Sequence, residues 1–360
     1  MVESDSLWGI LLKLPVKSLV LFKCVSKYWN GLLLSPMFIA KHLKIHKNSI
    51  SHLLLKRCYH PDDEPFISFL SEEPTEVIKD VYLPFPKQFC VLDLYGPCNG
   101  ILFLVAKTLN GDHEIALWNP TIKQFKLVLE YNVNDVTFSF LYVGFGFDPK
   151  SDDYKVIRIR RRVQLGSHSQ FVNPHVPLVE LYSLNTDSWS VHYWWAVDVL
   201  LAFDFSDEEF KTIPLPEEIS DRCWPYNEIR QPSEEAVAVL NGSLALVLGY
   251  QVVSPKRPKK KFEIWVMDKN DNTWFNYLSI GPSSKFRYLV GIGKDDKFLF
   301  VDYDGWLAEY DSRSERTREL EMFTYKHSNQ VIVCMETIVS VKGRVEPLVH
   351  ANISLSSTGY

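Results

Sequence analysis

The apolar positions of the first 47 residues recur at helical spacing and predict three short helices. The first helix ends at Pro15, and its candidate caps and apolar face are Ser4, Asp5, Leu7, Ile10, Leu11 and Leu14. The second helix covers residues 17–31. The third begins at Ser35 and Pro36, which are suited to the N-cap and the first helical position. The helical unit is therefore expected to end near residue 47.

The second predicted helix is apolar on two faces. One stripe consists of Leu21, Cys24, Val25, Tyr28 and Leu32, and the other of Leu19, Phe22 and Trp29. About 45 residues are too few to bury both faces, so the surplus apolar surface predicts an interface with a partner. The alternative is that these helices dock on the rest of the chain. DNA binding by a helix-turn-helix is disfavoured, because Asn30 alone among these side chains suits a base edge.

Charge is spread unevenly along the 360 residues, whose formal net charge is -5. Residues 6–61 contain eight lysines, one arginine and no acidic residue, which gives +9. The remaining 30 basic and 44 acidic residues give the rest of the chain a charge of -14. A basic N-terminal unit on an acidic body predicts an acidic partner for the helices.

Beyond residue 90 one phrase recurs, in which an aromatic residue, a polar turn and a second bulky residue follow one another. The copies run from Trp118 to Phe125, Tyr182 to Trp189, Phe203 to Phe210, Tyr310 to Thr317 and, with a longer turn, Trp265 to Trp274. Each copy predicts a strand hairpin, and Asn-Gly turns at 99–100 and 241–242 each open a buried strand. This order of strands is that of a propeller blade. The predicted fold class is α+β and multidomain, with a three-helix unit followed by a mostly β, propeller-like domain; a sandwich is the alternative.

The motifs of the chain indicate a non-catalytic protein. The six cysteines form no CxxC pair, and His42 and His46 stand one helical turn apart without a further ligand. Gly144 and Gly146 lack the third glycine of a dinucleotide loop and suit tight packing. We therefore expect no cofactor, no metal and no catalytic residue. A copper-dependent propeller enzyme stays open as an alternative, because sequence spacing does not reveal such a cluster.

The sequence predicts a cytoplasmic protein, with the nucleus as a second compartment. Acidic Glu3 and Asp5 stand where a secretory signal needs positive charge, and no apolar stretch approaches the ~18 residues of a membrane-spanning helix. Two basic runs, 158–163 and 254–262, are candidate sites of substrate contact or, for the second, of nuclear import. The candidate contact residues are Arg158, Arg160, Arg162, Lys256 and Arg257.

The stretch LLKLPVKSLVLFKCVSKYWNGLLLSPMFI, residues 11–39, resembles the F-box, a module that docks onto the acidic Skp-type adaptor of a cullin-RING ubiquitin ligase. The resemblance implies that the Leu-Pro turn and the apolar positions after it enter the adaptor. The corresponding residues are Leu14, Pro15, Val16, Leu19, Cys24, Val25 and Trp29. The chain departs from the F-box pattern at its opening, where Leu-Pro-x-Asp is replaced by residues 2–5, Val-Glu-Ser-Asp.

The body is similar to the F-box-associated domain of plant F-box proteins. The shared phrases are WNPTIKQF at 118–125, GFGFDPKSDDYKVIRI at 144–159 and ELYSLNTDSW at 180–189. Residues 198–216 and 262–282 extend the likeness to the S-locus F-box proteins of pollen. That resemblance implies a substrate receptor of an SCF ubiquitin ligase that recognises pistil ribonucleases (S-RNases). The alternatives are an F-box receptor for another protein and a non-degradative binding propeller.

The resemblance and the repeats together predict the domain organisation. The F-box covers residues 1–47, a linker with the first strands 48–90, the propeller-like domain 91–345 and a tail 346–360. Between Trp189 and residue 198 the family's usual strand pair is replaced by eight residues. One blade is therefore expected to be shortened near 190–198, either by loss of its inner strands or by divergence.

Overall fold

Helices are confined to the N-terminal part of the described chain, and strands make up the rest. The structure is a computed structural model, and it describes residues 2–46, 51–60, 63–71, 75–110, 113–129, 137–163, 178–193, 200–216, 234–252, 259–268, 270–271, 273–293, 296–325, 329–341 and 346–347. Within these residues the helices are α1 Val2–Leu11, α2 Val16–Phe22, α3 Lys27–Leu33 and α4 Pro36–His46. We call α1–α4 the head.

The prediction of three helices is wrong, because the second one is divided at Ser26. Its backbone is extended, with φ -159° and ψ 161°, and its hydroxyl accepts a hydrogen bond from the Trp29 amide at 3.2 Å. Ser26 is therefore the N-cap of a separate helix, α3. The candidate caps at positions 4 and 5 lie inside α1 rather than before it. Ser35 does cap α4, since its hydroxyl accepts from the Phe38 amide at 3.3 Å.

The strands follow one another along the rest of the described chain. They are β1 Ser51–Arg57, β2 Phe66–Leu70, β3 Val77–Val81, β4 Phe89–Cys98, β5 Ile101–Thr108, β6 His113–Asn119, β7 Gln124–Val128, β8 Thr137–Asp148, β9 Asp153–Val163, β10 Leu178–Ser183, β11 Ser188–Tyr193, β12 Leu200–Asp204, β13 Glu209–Ile213, β14 Glu234–Leu240, β15 Ser243–Val252, β16 Lys259–Met267, β17 Trp274–Ser283, β18 Tyr288–Ile292, β19 Lys297–Val301, β20 Trp306–Asp311, β21 Arg316–Phe323, β22 Gln330–Met335 and β23 Glu346–Pro347.

Antiparallel pairing groups these strands into sheets that we label A to F. Their strand orders are β22-β1-β2-β3 (A), β23-β7-β6-β5-β4 (B), β11-β10-β9-β8 (C), β12-β13 (D), β14-β15-β16-β17 (E) and β18-β19-β20-β21 (F). Within the described ranges, five sheets thus have at least four strands and sheet D has two. The repeated hairpins predicted from the sequence are the outer strands of these sheets.

The sheets follow one another around a ring. Separate apolar clusters join A to B, B to C, C to D, E to F and F to A. Between D and E, the Trp274 indole donates a hydrogen bond to the Pro214 carbonyl at 2.8 Å. The ring is closed by β22, which comes late in the chain but pairs with β1, with Val333 opposite Leu53. This arrangement confirms the mostly β, propeller-like prediction over the sandwich.

The repeated phrase marks residues that face each other across a hairpin. Where its spacing is seven, the two named residues are cross-strand partners, as in Trp118 with Phe125 and Tyr182 with Trp189. The same holds for Phe203 with Phe210 and Tyr310 with Thr317. Where the spacing is nine, the rule fails. The turn sets Met267 opposite Trp274, so Trp265, two residues further from the turn, pairs with Asn276.

Both predicted Asn-Gly turns are present and have left-handed backbone at both residues. Asn99 and Gly100 have φ of 49° and 78°, and Asn241 and Gly242 have 50° and 75°. Such angles fit the tight hairpin turn that Asn-Gly favours. Close packing accounts for the second glycine of the GxG pair, because a Cβ on Gly146 would strike the Phe205 ring of sheet D.

Sheet D follows the segment between Trp189 and residue 198, where one blade was predicted to be shortened. Its two strands correspond to the outer hairpin of the other sheets, and Phe203, Phe205 and Phe210 pack against the sheet C residues Ile157 and Val179. Inner strands for this blade are not found in the described residues. The boundaries of the predicted domains stay predictions, although β1–β3, placed there with the linker, are built into the ring as sheet A.

Candidate functional site

The head buries one of its two apolar stripes in its own core. Val16, Leu19 and Leu33 are nearly inaccessible to solvent, and Phe22 and Trp29 pack against them with their rings 5.2 Å apart. Leu19 and Phe22 come from α2 and Trp29 from α3, so the break at Ser26 does not interrupt this packing. The core of the head therefore uses the stripe that includes Leu19, Phe22 and Trp29.

Four of the five residues of the other stripe are exposed to solvent, while the fifth, Leu32, packs against the core of the head. Leu21, Val25 and Tyr28 are 70%, 63% and 66% accessible, and Cys24 is exposed beside them. We call these four residues the apolar stripe. Neither the other helices nor the described part of the ring covers it, which confirms the expectation of surplus apolar surface. Contiguous apolar side chains of this size on a helical surface favour contact with a partner.

Lysines flank the apolar stripe. Lys13, Lys17 and Lys27 are exposed, and Lys23, between Leu21 and Cys24 in the α2–α3 turn, is half-buried. Burial lowers the pKa of Lys23 from its usual value. Two charges counted in the basic N-terminal segment belong elsewhere: Lys56 and Arg57 are buried on β1. Lys41 and Lys44 on α4 are exposed as well, so the surface of the head is basic both beside the apolar stripe and on α4.

The seven residues that the F-box resemblance assigns to the adaptor fall into two groups. Pro15, Cys24 and Val25 are exposed and Leu14 and Trp29 are half-buried. Val16 and Leu19, in contrast, lie in the core at 3% and 0% accessibility. Their side chains support the helices from inside. The assignment of these seven residues to adaptor binding stays a prediction.

Two histidines of α4 hold the Leu-Pro turn in place. The His42 ring donates from Nε2 to the Leu14 carbonyl at 3.4 Å, and the His46 ring donates to the Leu12 carbonyl at 2.8 Å. The two rings stack with their centroids 4.2 Å apart. The spacing of this pair therefore serves packing in the head. A metal-binding group of three or more His, Cys, Asp or Glu is not found within the described ranges.

Acidification is expected to destabilise the head through His42. Burial, and secondarily the neighbouring His46, lowers the pKa of His42 below 6.5, while the bond to Leu14 opposes this. As the pH falls, His42 of the unfolded chain is therefore protonated before His42 of the folded chain. The contribution of neutral, buried His42 to the stability of the fold is complete above pH 6.5 and is lost as the pH falls through the lowered pKa. One such group changes the free energy of unfolding by at most about 1.4 kcal/mol per pH unit.

The measurement is the unfolding midpoint of the full chain at pH 7.5 and 5.5. His42→Gln keeps a donor near the Leu14 carbonyl but does not titrate, so the loss of stability on acidification should shrink. An equal loss in the variant and the native chain would contradict this role for His42.

The head is fixed to the ring through sheet B and the segment after β22. Ile122, in the β6–β7 turn, and Ile338 both pack into the core of the head. The buried Asn119 side chain donates to the carbonyls of Thr337 and Val339 at 3.2 and 2.7 Å. The same side chain accepts from the Ile122 amide, so one residue orders both contact segments. The Asn of the WNP phrase therefore positions the head on the propeller.

The arginines proposed for substrate contact are buried. Arg158 and Arg160 are 0% and 5% accessible, and both bind the Glu180 carboxylate at 2.6 Å. The Arg158 guanidinium also lies 3.9 Å from the centre of the Trp189 ring. These two candidates for substrate contact are therefore not exposed at the surface, because the neighbouring strand supplies a carboxylate that pairs with them. The backbone of Arg162 pairs with Phe138, and Lys256 and Arg257 lie outside the described residues.

Sequence patterns did not indicate a cavity of about 580 Å³ in sheet F. Its lining combines the apolar Phe286 and Leu307 with the polar Lys285, Asp302 and Glu319. These residues come from three separate segments that only the folded sheet brings together.

The helices of the described chain are all too short or too polar to cross a membrane.

The structure thus combines a helical head that has an uncovered apolar stripe with a propeller-like ring to which the head is fixed. Comparison with known proteins agrees with this arrangement. Residues 67–196 match the family described as the F-box associated beta propeller domain. This match includes, in full, all three phrases on which the resemblance rests, at 118–125, 144–159 and 180–189.

Curated relatives from Arabidopsis thaliana extend the similarity over nearly the whole chain. The F-box/kelch-repeat protein At3g23880 is 26% identical over 94% of this chain and 93% of its own length. The putative F-box protein At3g16210 is 25% identical over 89% and 88%. The F-box protein CPR1 is 22% identical over 89% and 84%. These similarities support a plant F-box protein with an F-box-associated propeller domain. F-box proteins are recognition proteins rather than catalysts, in agreement with the prediction that the chain is not an enzyme.

Proposed function

We propose that this chain is the substrate-recognition subunit of an SCF-type ubiquitin ligase. The observation that carries the proposal is the apolar stripe of Leu21, Cys24, Val25 and Tyr28, exposed on a head that is itself fixed to a propeller-like ring. In this proposal the head binds a Skp-type adaptor and the ring binds a protein substrate. The chain acts in the cytoplasm, with the nucleus as a second compartment.

The chemistry of the head suits such an adaptor. Burial of each large apolar side chain in an interface contributes about 1.5–3 kcal/mol, so three of them supply a substantial part of a stable complex. Flanking lysines add long-range attraction for an acidic partner and raise the rate of encounter. The half-buried Lys23 gains most, because a carboxylate brought next to it offsets its desolvation.

The chain needs no catalytic residue for this role. A receptor accelerates ubiquitin transfer by holding the substrate close to the charged enzyme, which raises the effective concentration of the reacting groups. The firm contact between head and ring supports this mechanism, since Ile122 and Ile338 pack inside the head. A substrate held by the ring is then held at a defined position relative to the adaptor.

For the substrate, we propose a pistil S-RNase of the self-incompatibility response. The support is the resemblance of residues 198–216 and 262–282 to S-locus F-box proteins, and the acidic charge of -14 outside residues 6–61, which suits a basic ribonuclease. The alternative is a receptor for another plant protein, because the three relatives described above are not named as S-locus proteins. Salt-dependent binding of purified S-RNases to the full chain would favour the first substrate.

Substrate capture in plant cells tests the receptor role. The full chain and a variant with Leu21→Glu and Val25→Glu are expressed as tagged proteins with a proteasome inhibitor present. We expect both to capture the same protein through the ring, but only the native chain to yield it in ubiquitinated form. Equal ubiquitination with both chains would contradict the proposal.

A further inference from the structure

Three lysines from separate parts of the chain meet where the head joins the ring. Lys17 belongs to α2, Lys79 to β3 of sheet A and Lys123 to the β6–β7 turn of sheet B. All three are exposed. We call them the junction lysines. Because they are far apart in sequence, they do not form a run of basic residues. The fold places all three at the junction of head and ring.

Packing in the head places two of the junction lysines beside the same apolar cluster. Val16 and Ile122 lie in the same apolar cluster, and Lys17 and Lys123 are the residues that follow them in the chain. The third ammonium, that of Lys79, is held over the Phe69 ring at 3.9 Å from its centre. Burial, followed by the charges of Lys123 and Lys17, lowers the pKa of Lys79. The Phe69 ring also packs edge-on against Trp118, with ring centroids 6.3 Å apart, and Trp118 lies on the hairpin that holds Lys123. Lys79 is therefore placed on the side of sheet A that faces this hairpin.

The carboxylates nearest in structure have other partners. Glu336 pairs with His52 at 3.0 Å, and its charge also acts on Lys17. Asp80, next to Lys79 on β3, accepts a hydrogen bond from Ser68 and pairs with Arg57. Successive residues of a strand point to opposite faces, so Asp80 faces away from Lys79. An acidic group from outside the chain would therefore find the junction lysines accessible and mutually repelling.

The repeated hairpins show that the charge of Lys123 is particular to the junction. Lys123 has a left-handed backbone, with φ 55°, at the fifth position after Trp118. The equivalent positions of three other hairpins are also left-handed and hold Asp187, Glu208 and Glu315. The turn itself therefore accepts an acidic residue, and the lysine occurs in the hairpin that contacts the head.

We propose that the acidic partner of the head extends over the junction and contacts Lys79 and Lys123 of the ring. The inference rests on the proposed function, because that partner is the Skp-type adaptor. Its support is charge complementarity and continuity, since Lys17 lies on the same helix as Leu21 of the apolar stripe. The adaptor then binds head and ring at once. Its contact with the ring fixes the direction in which the propeller presents a substrate.

The test is the dissociation constant of the full chain and a plant Skp-type adaptor at two salt concentrations. Lys79→Glu together with Lys123→Glu is expected to weaken binding about tenfold at low salt, because two peripheral ion pairs become repulsions. The difference should shrink at high salt. Glu at position 123 is tolerated by the turn, as Glu208 and Glu315 show, so the unfolding midpoint should be unchanged.

The matched control is Lys285→Glu, at an exposed lysine in the connection between β17 and β18, which should leave adaptor affinity as it is. An affinity for the Lys79/Lys123 variant equal to that of the native chain would overturn the inference. In that case, loss of binding by the Leu21→Glu, Val25→Glu variant would leave the proposed function standing. If neither double variant weakens binding, both proposals fail.

Discussion

Replacing Leu21 and Val25 together by glutamate is expected to weaken adaptor binding by at least about 100-fold. Both side chains are more than half exposed in the free chain, so their replacement removes little from the folded protein. In the complex, the loss of two buried apolar side chains costs about 3 kcal/mol or more, which corresponds to that factor. The two new carboxylates would also meet an acidic partner and oppose its approach.

The control for this prediction is another exposed apolar residue of the head. Ile45 on α4 is 54% accessible and lies outside the apolar stripe, so Ile45→Glu should bind the adaptor as the native chain does. Unfolding midpoints measured in parallel must agree among the three proteins. Retained affinity in the Leu21/Val25 variant would exclude the apolar stripe as the docking surface.

The choice of these positions depends on the structure. The F-box resemblance alone would direct mutations to Leu19, which is fully buried among Val16, Leu33 and Phe38. Truncation of a core leucine to alanine typically costs 2–5 kcal/mol of stability, and lost binding would then report an unfolded head. Mutations at the exposed Leu21 and Val25 can change adaptor binding without unfolding the head, so they test recognition alone.

The second large effect is expected from Glu180→Gln in sheet C, which should destabilise the fold by about 3–5 kcal/mol. The Glu180 carboxylate is 1% accessible and accepts hydrogen bonds from Arg158 and Arg160, each at 2.6 Å. Removal of its charge takes from both buried guanidinium groups the carboxylate that they share. Denaturant unfolding of the full chain measures the change.

An exposed ion pair of the same ring provides the comparison. Lys150 and Asp207 form a bridge between sheets C and D at the surface, and Asp207→Asn should leave the unfolding midpoint unchanged, because solvent screens such a pair. A stability of the Glu180→Gln protein close to that of the native chain would contradict the account of Arg158 and Arg160 as structural residues.

The sequence predicted those features of the fold that depend on local spacing. A seven-residue interval joins cross-strand partners such as Trp118 and Phe125, since a hairpin of fixed turn length always sets the same residues opposite each other. The basic run 158–163 likewise indicated Arg158 and Arg160 as candidates for substrate contact, but the run did not reveal that both side chains are buried. Their burial depends on the neighbouring strand β10, where Glu180 is the cross-strand partner of Arg158.

Apolar spacing in the head had a similar limit. It grouped Leu21, Cys24, Val25 and Tyr28 correctly, but it placed Leu32 with them although Leu32 packs against the core of the head. It also extended one helix across Ser26, because a serine can occupy a helix interior as well as an N-cap. Which stripe is buried depends on α4 and on Ile122 and Ile338 from the ring. The junction lysines depend on contacts between segments more than 40 residues apart. Such contacts have no signature in local sequence.

The central claim, that the head docks on a Skp-type adaptor while the ring stays free for a substrate, is tested most directly by gel filtration of the full chain mixed with a plant adaptor. The account predicts one stoichiometric complex with the native chain and separate peaks with the Leu21→Glu, Val25→Glu variant. Separate peaks with the native chain, and also with a Val2→Leu, Glu3→Pro variant that restores the F-box opening, would contradict it.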